Sequence, residues 1–355
     1  MQDHIRTTRG NVTESTHLVH AAVVSADGRL LYSVGNPHRQ TLLRSAAKPA
    51  QSVAILEACS SKITFSDADV ALMSASHSSE DRHISRARSM LSLSGATEAD
   101  MQCGGHPALN AGVNKEWIKS DFTPGAIENN CSGKHAGMLA GAKSLGAGFA
   151  DYHAPEYPMQ RAVKRVVEEI SGMQPGEIEW AVDGCNLPAP AMPLTGMAAM
   201  YARFASAVDN AETKRERIMK RVFNAMCKYP EMVGGEKRFC TELMSAYKGL
   251  LIGKVGADGC YGVGITESEY TKQLGVSKGG IGIAVKIESG SMDLVYAAVA
   301  EILAQLEIGS ETMRGELVGW RTPEIFNTMG VVTGATCHCF TVQKTGERED
   351  YGTMS

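Results

Sequence analysis

The sequence predicts an α/β (α+β) protein in which the two ends of the chain build one antiparallel sheet around a mainly helical middle. Three observations carry that expectation. Strand pattern is concentrated near the start, about residues 17–36, and near the end, about 255–345. The stretch between them, about 45–250, carries apolar residues at helical spacing. Strands are grouped at the ends instead of alternating with helices, which favours antiparallel pairing over repeated βαβ units. No linker of low complexity and no internal repeat divides the chain, so residues 1–355 are read as one domain.

The first element is a hairpin. In "HLVHAAVVSADGRLLYSVGN", His17 to Asn36, two apolar runs flank Asp27-Gly28, a dipeptide suited to a tight hairpin turn. Next, "SAAKPAQSVAILEA" sets Val53, Ile55 and Leu56 among small residues and predicts a buried helix starting near Ser45. Pro49 fits only its first turn, where a missing N–H loses no partner. In the middle, "YPMQRAVKRVVEEISGM" places Val163, Val166, Val167 and Ile170 on one helical face and stops at Gly172. "GMAAMYARFASAV" is a second helix there. "ETKRERIMKRVFNAMCKYP" is a third, with Ile218, Val222 and Met226, halted before Pro230. The charges on these helices read as solvated faces. Late in the chain, "GGIGIAVKIE" is a strand, "MDLVYAAVAEILAQL" a helix and "MGVVTGATCHCFTV" a last strand or hairpin. In that strand Cys337 and Cys339 share a face and are read as packing.

Composition narrows the function. Hydrophobic residues at 43% and charged residues at 21% describe an ordinary globular chain. A formal charge of −4 supplies no basic field for tracking phosphates, so nucleic acid is not an expected partner. The N-terminal stretch lacks the apolar core of a secretory signal, and no uncharged apolar run reaches about 18 residues, so no membrane span is expected. Nine cysteines, an odd number scattered along the chain, read as free or metal-bound thiols in a reducing compartment, with the cytoplasm as the expected address.

Two motifs carry chemistry. "LLRSAAKPAQ" holds Ser45-x-x-Lys48; at a helix start the pair shares one face, so Lys48 can reach the Ser45 hydroxyl. A serine becomes nucleophilic when a base takes its proton, and a lysine serves once burial or a second cation lowers its pKa. The positive end of the helix assists both. Such enzymes also use a second hydroxyl and a second lysine on a strand. "LMSASHSSE" offers Ser74, Ser76 and Ser78, and "GLLIGKVGADG" offers Lys254, with Lys278 in "SKGGIGIAV" as competitor. The other motif is "CSGKHAG", Cys131 to Gly137. It is no phosphate loop, because Glu128 stands where a glycine is needed and His135 follows Lys134 in place of a hydroxyl residue.

These segments together resemble the Rhizobium-type L-asparaginases, whose fold is similar to serine β-lactamases, DD-peptidases and serine-dependent glutaminases. The resemblance runs from "RGNVTESTH" through "LLRSAAKP", "SASHSSE", "CGGHP", "NNCSGKHAGML", "DGCNLPAPAMPL", "YPEMVGGEKRFCTELM" and "GKVGADGCYGVGI". It implies hydrolysis of the side-chain amide of L-asparagine to aspartate and ammonia. It also implies two Ser-Lys tandems: Ser45 as nucleophile with Lys48, and Ser76 with Lys254. Lys254 is preferred to Lys278 on the match of the string alone. Arg44, beside the nucleophile, is expected to orient a carboxylate or tune the lysines.

The resemblance further implies a Zn²⁺ site built from Cys131, Lys134 and Cys185. Raw spacing says less, since structural zinc usually takes four Cys or His ligands. A lysine ligand must be neutral, at a cost of about 4–5 kcal/mol near pH 7 from an ordinary pKa of ~10.4, so metal is expected to leave in acid. His135 is the fallback ligand or a substrate contact, and Asp183 a partner for the substrate amine or for a ligand. Cys103 in "CGGHP" has no assigned role. A homodimer is expected from the family and from the prevalence of symmetric dimers. Competing readings are an L-glutaminase or another amidohydrolase on the same fold, a penicillin-recognising enzyme, and a non-catalytic amino-acid or metal-binding protein.

Overall fold

The computed structural model describes residues 3–59 and 63–345. Twelve strands occur among them: β1 His4–Arg9, β2 Val12–Ser25, β3 Leu30–Val34, β4 Gln40–Leu42, β5 Glu179–Val182, β6 Pro188–Pro193, β7 Leu251–Gly256, β8 Cys260–Ile265, β9 Ile281–Ile287, β10 Glu324–Phe326, β11 Val332–Cys339 and β12 Gln343–Lys344. The large sheet runs β10-β11-β1-β2-β9-β8-β7, with β3 on β2 and β12 on β3. Every pairing is antiparallel. Its centre joins chain ends, since β2 aligns Val19–Ser25 with Ile281–Ile287 of β9. Both strands are buried along that length, as apolar runs in a covered sheet should be.

The helices that position the site are α1 Lys48–Cys59, α2 Asp67–Met73, α3 Asp81–Ser94, α4 Ala111–Lys119, α5 Ser132–Ser144, α6 Pro158–Ser171, α7 Leu194–Asp209 and α8 Lys214–Lys228. The helix α7 lies directly on the sheet. A side chain at Gly282 of β9 would begin 1.9 Å from the Ala198 carbonyl oxygen, so only glycine permits this approach. From α7 the fully buried Tyr201 donates its hydroxyl to the Ala46 carbonyl at 2.7 Å, tying the helix to the turn that carries Ser45. The Met292–Gln305 helix is buried over most of its length and adds its apolar residues to the same core. Among the described residues no helix is long and apolar enough to cross a membrane.

Three departures from the sequence reading have physical causes. The first strand pair starts at His4, not near residue 17, because the first half of β2 is exposed, and β1 is mostly half-buried with no alternating apolar face. The stretch expected to be mainly helical supplies two strands, β5 and β6, to a second sheet, β4-β6-β5. Its middle strand, "PAPAMP", has proline at three of six positions, a composition that speaks against a paired strand. The glycine-rich "CSGKHAG", not among the expected helices, starts α5, which is buried on nearly every side. Small residues there let neighbours close in, and burial overrides the poor helix propensity of glycine.

Candidate active site

Ser45 sits in a single 3₁₀ turn, Arg44–Ala47, that leads straight into α1. Lys48 opens α1 and Pro49 follows in its first turn, as the sequence requires. The turn begins with a strained residue. Arg44 has φ +50°, a left-handed conformation that costs a side-chain-bearing residue energy and clusters at functional sites. Ion pairs hold it there: Nε donates to Asp183 Oδ1, and Nη1 reaches Asp258 Oδ2 at 2.6 Å.

The second hydroxyl arrives from α2. After Met73 the chain leaves the helix and is pinned along "SASHSS" by bonds to other elements. Ser76 N–H donates to Val233 O at 3.0 Å, His77 N–H to Asn130 O at 3.2 Å, and Ser79 Oγ to Glu128 O at 2.7 Å. His77 is buried and uncharged, its Nδ1 accepting from Ser79 N–H and its Nε2 bonded to Ser132 Oγ at 2.9 Å. This fixing holds Ser76 between two lysines. Lys254 Nζ lies 2.8 Å and Lys48 Nζ 3.2 Å from Ser76 Oγ.

Both lysines are fully buried. Lys254 stands on β7 opposite Gly262 of β8, and its Nζ also donates to the Val255 carbonyl. Burial, aided by the charges of Lys48 and Arg238, brings the Lys254 pKa down to about 7. Lys48 donates to the Ala75 carbonyl as well as to Ser76. It was expected to turn to Ser45, yet it meets Ser76, where a carbonyl and a hydroxyl together satisfy the buried ammonium. Ser45 Oγ forms no hydrogen bond among the described residues; it lines a pocket of about 440 Å³ that it shares with Ser76. Lys278 is exposed on a turn and lines a different pocket, with Asp27 and Arg29.

Close packing puts β7 against the Ser45 turn. A side chain at Gly256 would begin 2.3 Å from the Leu43 carbonyl oxygen, which explains the glycine after Lys254-Val255. Asn130, Arg238, Val255, Ala257, Asp293 and Tyr296 complete much of the pocket wall. Sequence reasoning missed Asn130 and Arg238 although both lie in segments that carried the resemblance, because neither residue belongs to a Ser-Lys motif.

Behind the pocket Cys131, Lys134 and Cys185 converge. Cys131 caps α5, Lys134 lies in its first turn, and Cys185 stands in the β5–β6 turn. Lys134 Nζ is 3.1 Å from Cys185 Sγ, and all three side chains are buried. The hydrogen bond from Cys131, then the Lys134 charge, hold Cys185 well below the usual thiol range against the cost of burial, while Cys131 is pushed up to about 12. Lys134 is kept charged although burial opposes it, because the two sulfurs face it. Asp183 extends the cluster, lowered by Lys134 and Arg44 despite its burial.

No group of three or more His, Cys, Asp or Glu side chains suited to a metal ion occurs among the described residues. The third donor in this cluster is an amine, and two thiols with an amine suit a thiophilic cation. His135 is fully buried and does not line the pocket. Its Nδ1 bonds the Tyr152 hydroxyl, and burial followed by the Lys134 charge lowers its pKa to about 3, so the ring is neutral.

A family model described as L-asparaginase II matches residues 5–337. The chain belongs to the L-asparaginase II family. The lysine-flanked serine lies within the matched span. Among curated proteins none matches the chain. Among solved structures it is similar to Mglu in its native form in 4.3 M NaCl, with TM-score 0.40 and 16% identity, over 85% of this chain and 61% of that one. Mglu in its glutamate form gives TM-score 0.38 and 16% identity, over 85% and 59%. The match thus spans about three fifths of the Mglu chain.

Proposed function

We propose that this member of the L-asparaginase II family is an L-asparaginase, one catalytic domain on a serine β-lactamase-like fold that releases ammonia from the L-asparagine side chain through an acyl-serine. The observation that carries the reading is Ser76 Oγ held between Lys254 and Lys48 in a pocket shared with Ser45. With a pKa of about 7, Lys254 is available as a base near neutrality. Ser45 Oγ attacks the amide carbon and its proton passes through Ser76 to Lys254. The oxyanion is stabilised by backbone N–H groups of the Ser45 turn and the end of β7. Collapse breaks the C–N bond, and the proton returns through Ser76 to the departing ammonia. Water then adds to the ester, the same relay takes its proton, and L-aspartate leaves with Ser45 restored.

Cys131, Lys134 and Cys185 would hold a Zn²⁺ ion, which would supply positive charge to that cluster and brace α5 against the β5–β6 turn. Arg44 and Asp183 link that cluster to the pocket wall. A homodimer fits the exposed Phe326, Met329, Val331 and Val332 around β10 and β11, an apolar surface suited to a second copy and checked by sedimentation equilibrium. Nine free thiols support a reducing compartment such as the cytoplasm.

One observation favours a second reading, in which Ser76 is the nucleophile: its hydroxyl, not that of Ser45, touches the lysines. The test is ammonia release from L-asparagine and L-glutamine, with rapid acid quench and peptide mass mapping of the acyl-enzyme. The expected result is preference for asparagine and an aspartyl ester on the Ser45 peptide. An ester on Ser76 exchanges the two roles, and absence of ammonia release from either amino acid removes the amidase reading.

A further inference from the structure

Among the described residues, two charges that line the catalytic pocket have no ion-pair partner. Arg44, the cation beside the nucleophile, is engaged by Asp183 and Asp258. Lys48 and Lys254 are occupied at Ser76 and at the carbonyls of Ala75 and Val255. Arg238 differs. It precedes the Phe239–Tyr247 helix, is half-buried and lines the same pocket as Ser45. Its Nη1 donates to Ser78 Oγ at 3.3 Å, with the Tyr296 hydroxyl beside it. Among the described residues no carboxylate pairs with it. Asp258 is already taken by Arg44, which leaves Asp293, at the start of the Met292–Gln305 helix, as the lining acid without an ion pair among the described residues.

A half-buried guanidinium facing a pocket without an anion is costly in the free protein and gains most from a ligand that brings one. Its planar fork suits a carboxylate held by two parallel bonds. We propose that Arg238 anchors the α-carboxylate of the substrate and that Asp293 receives its α-ammonium. The site thereby accepts free amino-acid amides and excludes asparagine within a peptide. The inference rests on the amidase reading and adds the residues that recognise the non-reacting end. It assigns substrate anchoring to the pocket wall, apart from the buried thiol-lysine cluster.

The experiment uses substrates that lose one charge each. β-Alaninamide is asparagine without its α-carboxylate, and succinamate is asparagine without its α-amino group. In the parent protein kcat/KM for L-asparagine should exceed that for β-alaninamide at least 100-fold. Arg238→Gln should bring that ratio below 10, mainly through KM for asparagine, and Arg238→Lys should restore part of it. Asp293→Asn should compress the asparagine-to-succinamate ratio in the same way. Equal losses on asparagine and β-alaninamide in Arg238→Gln would overturn the anchor and show that Arg238 acts only through packing or Lys254. Parent activity on asparagine would then still uphold the amidase reading. If the parent hydrolyses no asparagine, calorimetric binding of L-aspartate isolates the anchor: a tenfold or greater loss in Arg238→Gln supports it, and unchanged binding removes it.

Discussion

At the scale of single residues the site is organised by what is left unsatisfied and what is not. Ser45 Oγ has no hydrogen-bond partner among the described residues, Lys254 has a lowered pKa, and Arg44 has a strained backbone held by two acids. Ser45→Ala is expected to lower kcat by about 10³-fold or more with the fold intact by circular dichroism. The pH dependence follows from Lys254. Its pKa falls from 10.5 to about 7 on folding, so below about 7 it is protonated in both states and cannot take a proton from Ser76. The logarithm of kcat/KM should therefore climb with unit slope below pH 7 and flatten above it.

The same shift has a stability sign. Between about 7 and 10.5 the unfolded chain holds a proton that the native protein has lost, so stability rises with pH across that window and is lost as pH falls towards 7. Urea midpoints of parent and Lys254→Met at pH 7 and pH 9 measure it, and the pH increment should shrink in the variant. The Lys48–Ser45 contact expected from the sequence is not made, and of the two pairs only Ser76 with Lys254 was legible beforehand, through the resemblance. That both lysines meet on Ser76 was not, because contact between residues 48, 76 and 254 depends on three elements distant in the chain.

At the scale of elements, what the sequence revealed depended on how local the signal was. Helices α6 and α8 were legible because their apolar residues repeat at 3.6-residue spacing and end at Gly172 and before Pro230. The β2–β3 hairpin was legible from Asp27-Gly28. Strand β6 was not, since its partners lie about 150 and about ten residues back, and its prolines hide the pattern. Strand β7 matters most for the proposed chemistry, for it carries Lys254 and closes on the Ser45 turn at Gly256. Gly256→Val should separate the two elements, destabilise the protein by about 1–3 kcal/mol in urea titration, and lower kcat/KM more than 100-fold. A variant with full activity would show that the closeness of β7 to the turn is immaterial.

For the whole molecule, the thiol-lysine cluster joins α5 to the β5–β6 turn, so an ion bound there would brace two parts of the fold. Purified protein is expected to contain about one zinc per chain by elemental analysis, lost in Cys131→Ala and Cys185→Ala. Because Lys134 must shed a proton to bind metal, affinity measured against a chromophoric chelator should fall as pH drops from 8 to 6. Added zinc should raise the melting temperature of the parent and not of the cysteine variants. Metal-free protein with an unchanged melting temperature and full activity would sink the role.

The seam between α7 and the sheet also bears on how such an enzyme changes over generations. At Gly282 helix backbone rests on strand with no room for a side chain, and Tyr201 of the same helix grips the carbonyl of Ala46 beside Ser45. Any enlargement there shifts the Ser45 turn, so this wall can accept almost no sequence drift. The rim is different, since Leu109 and Asp293 are exposed and touch the pocket from only one side. New substrate preferences should therefore arise at the rim, while the seam records the ancestry of the chemistry.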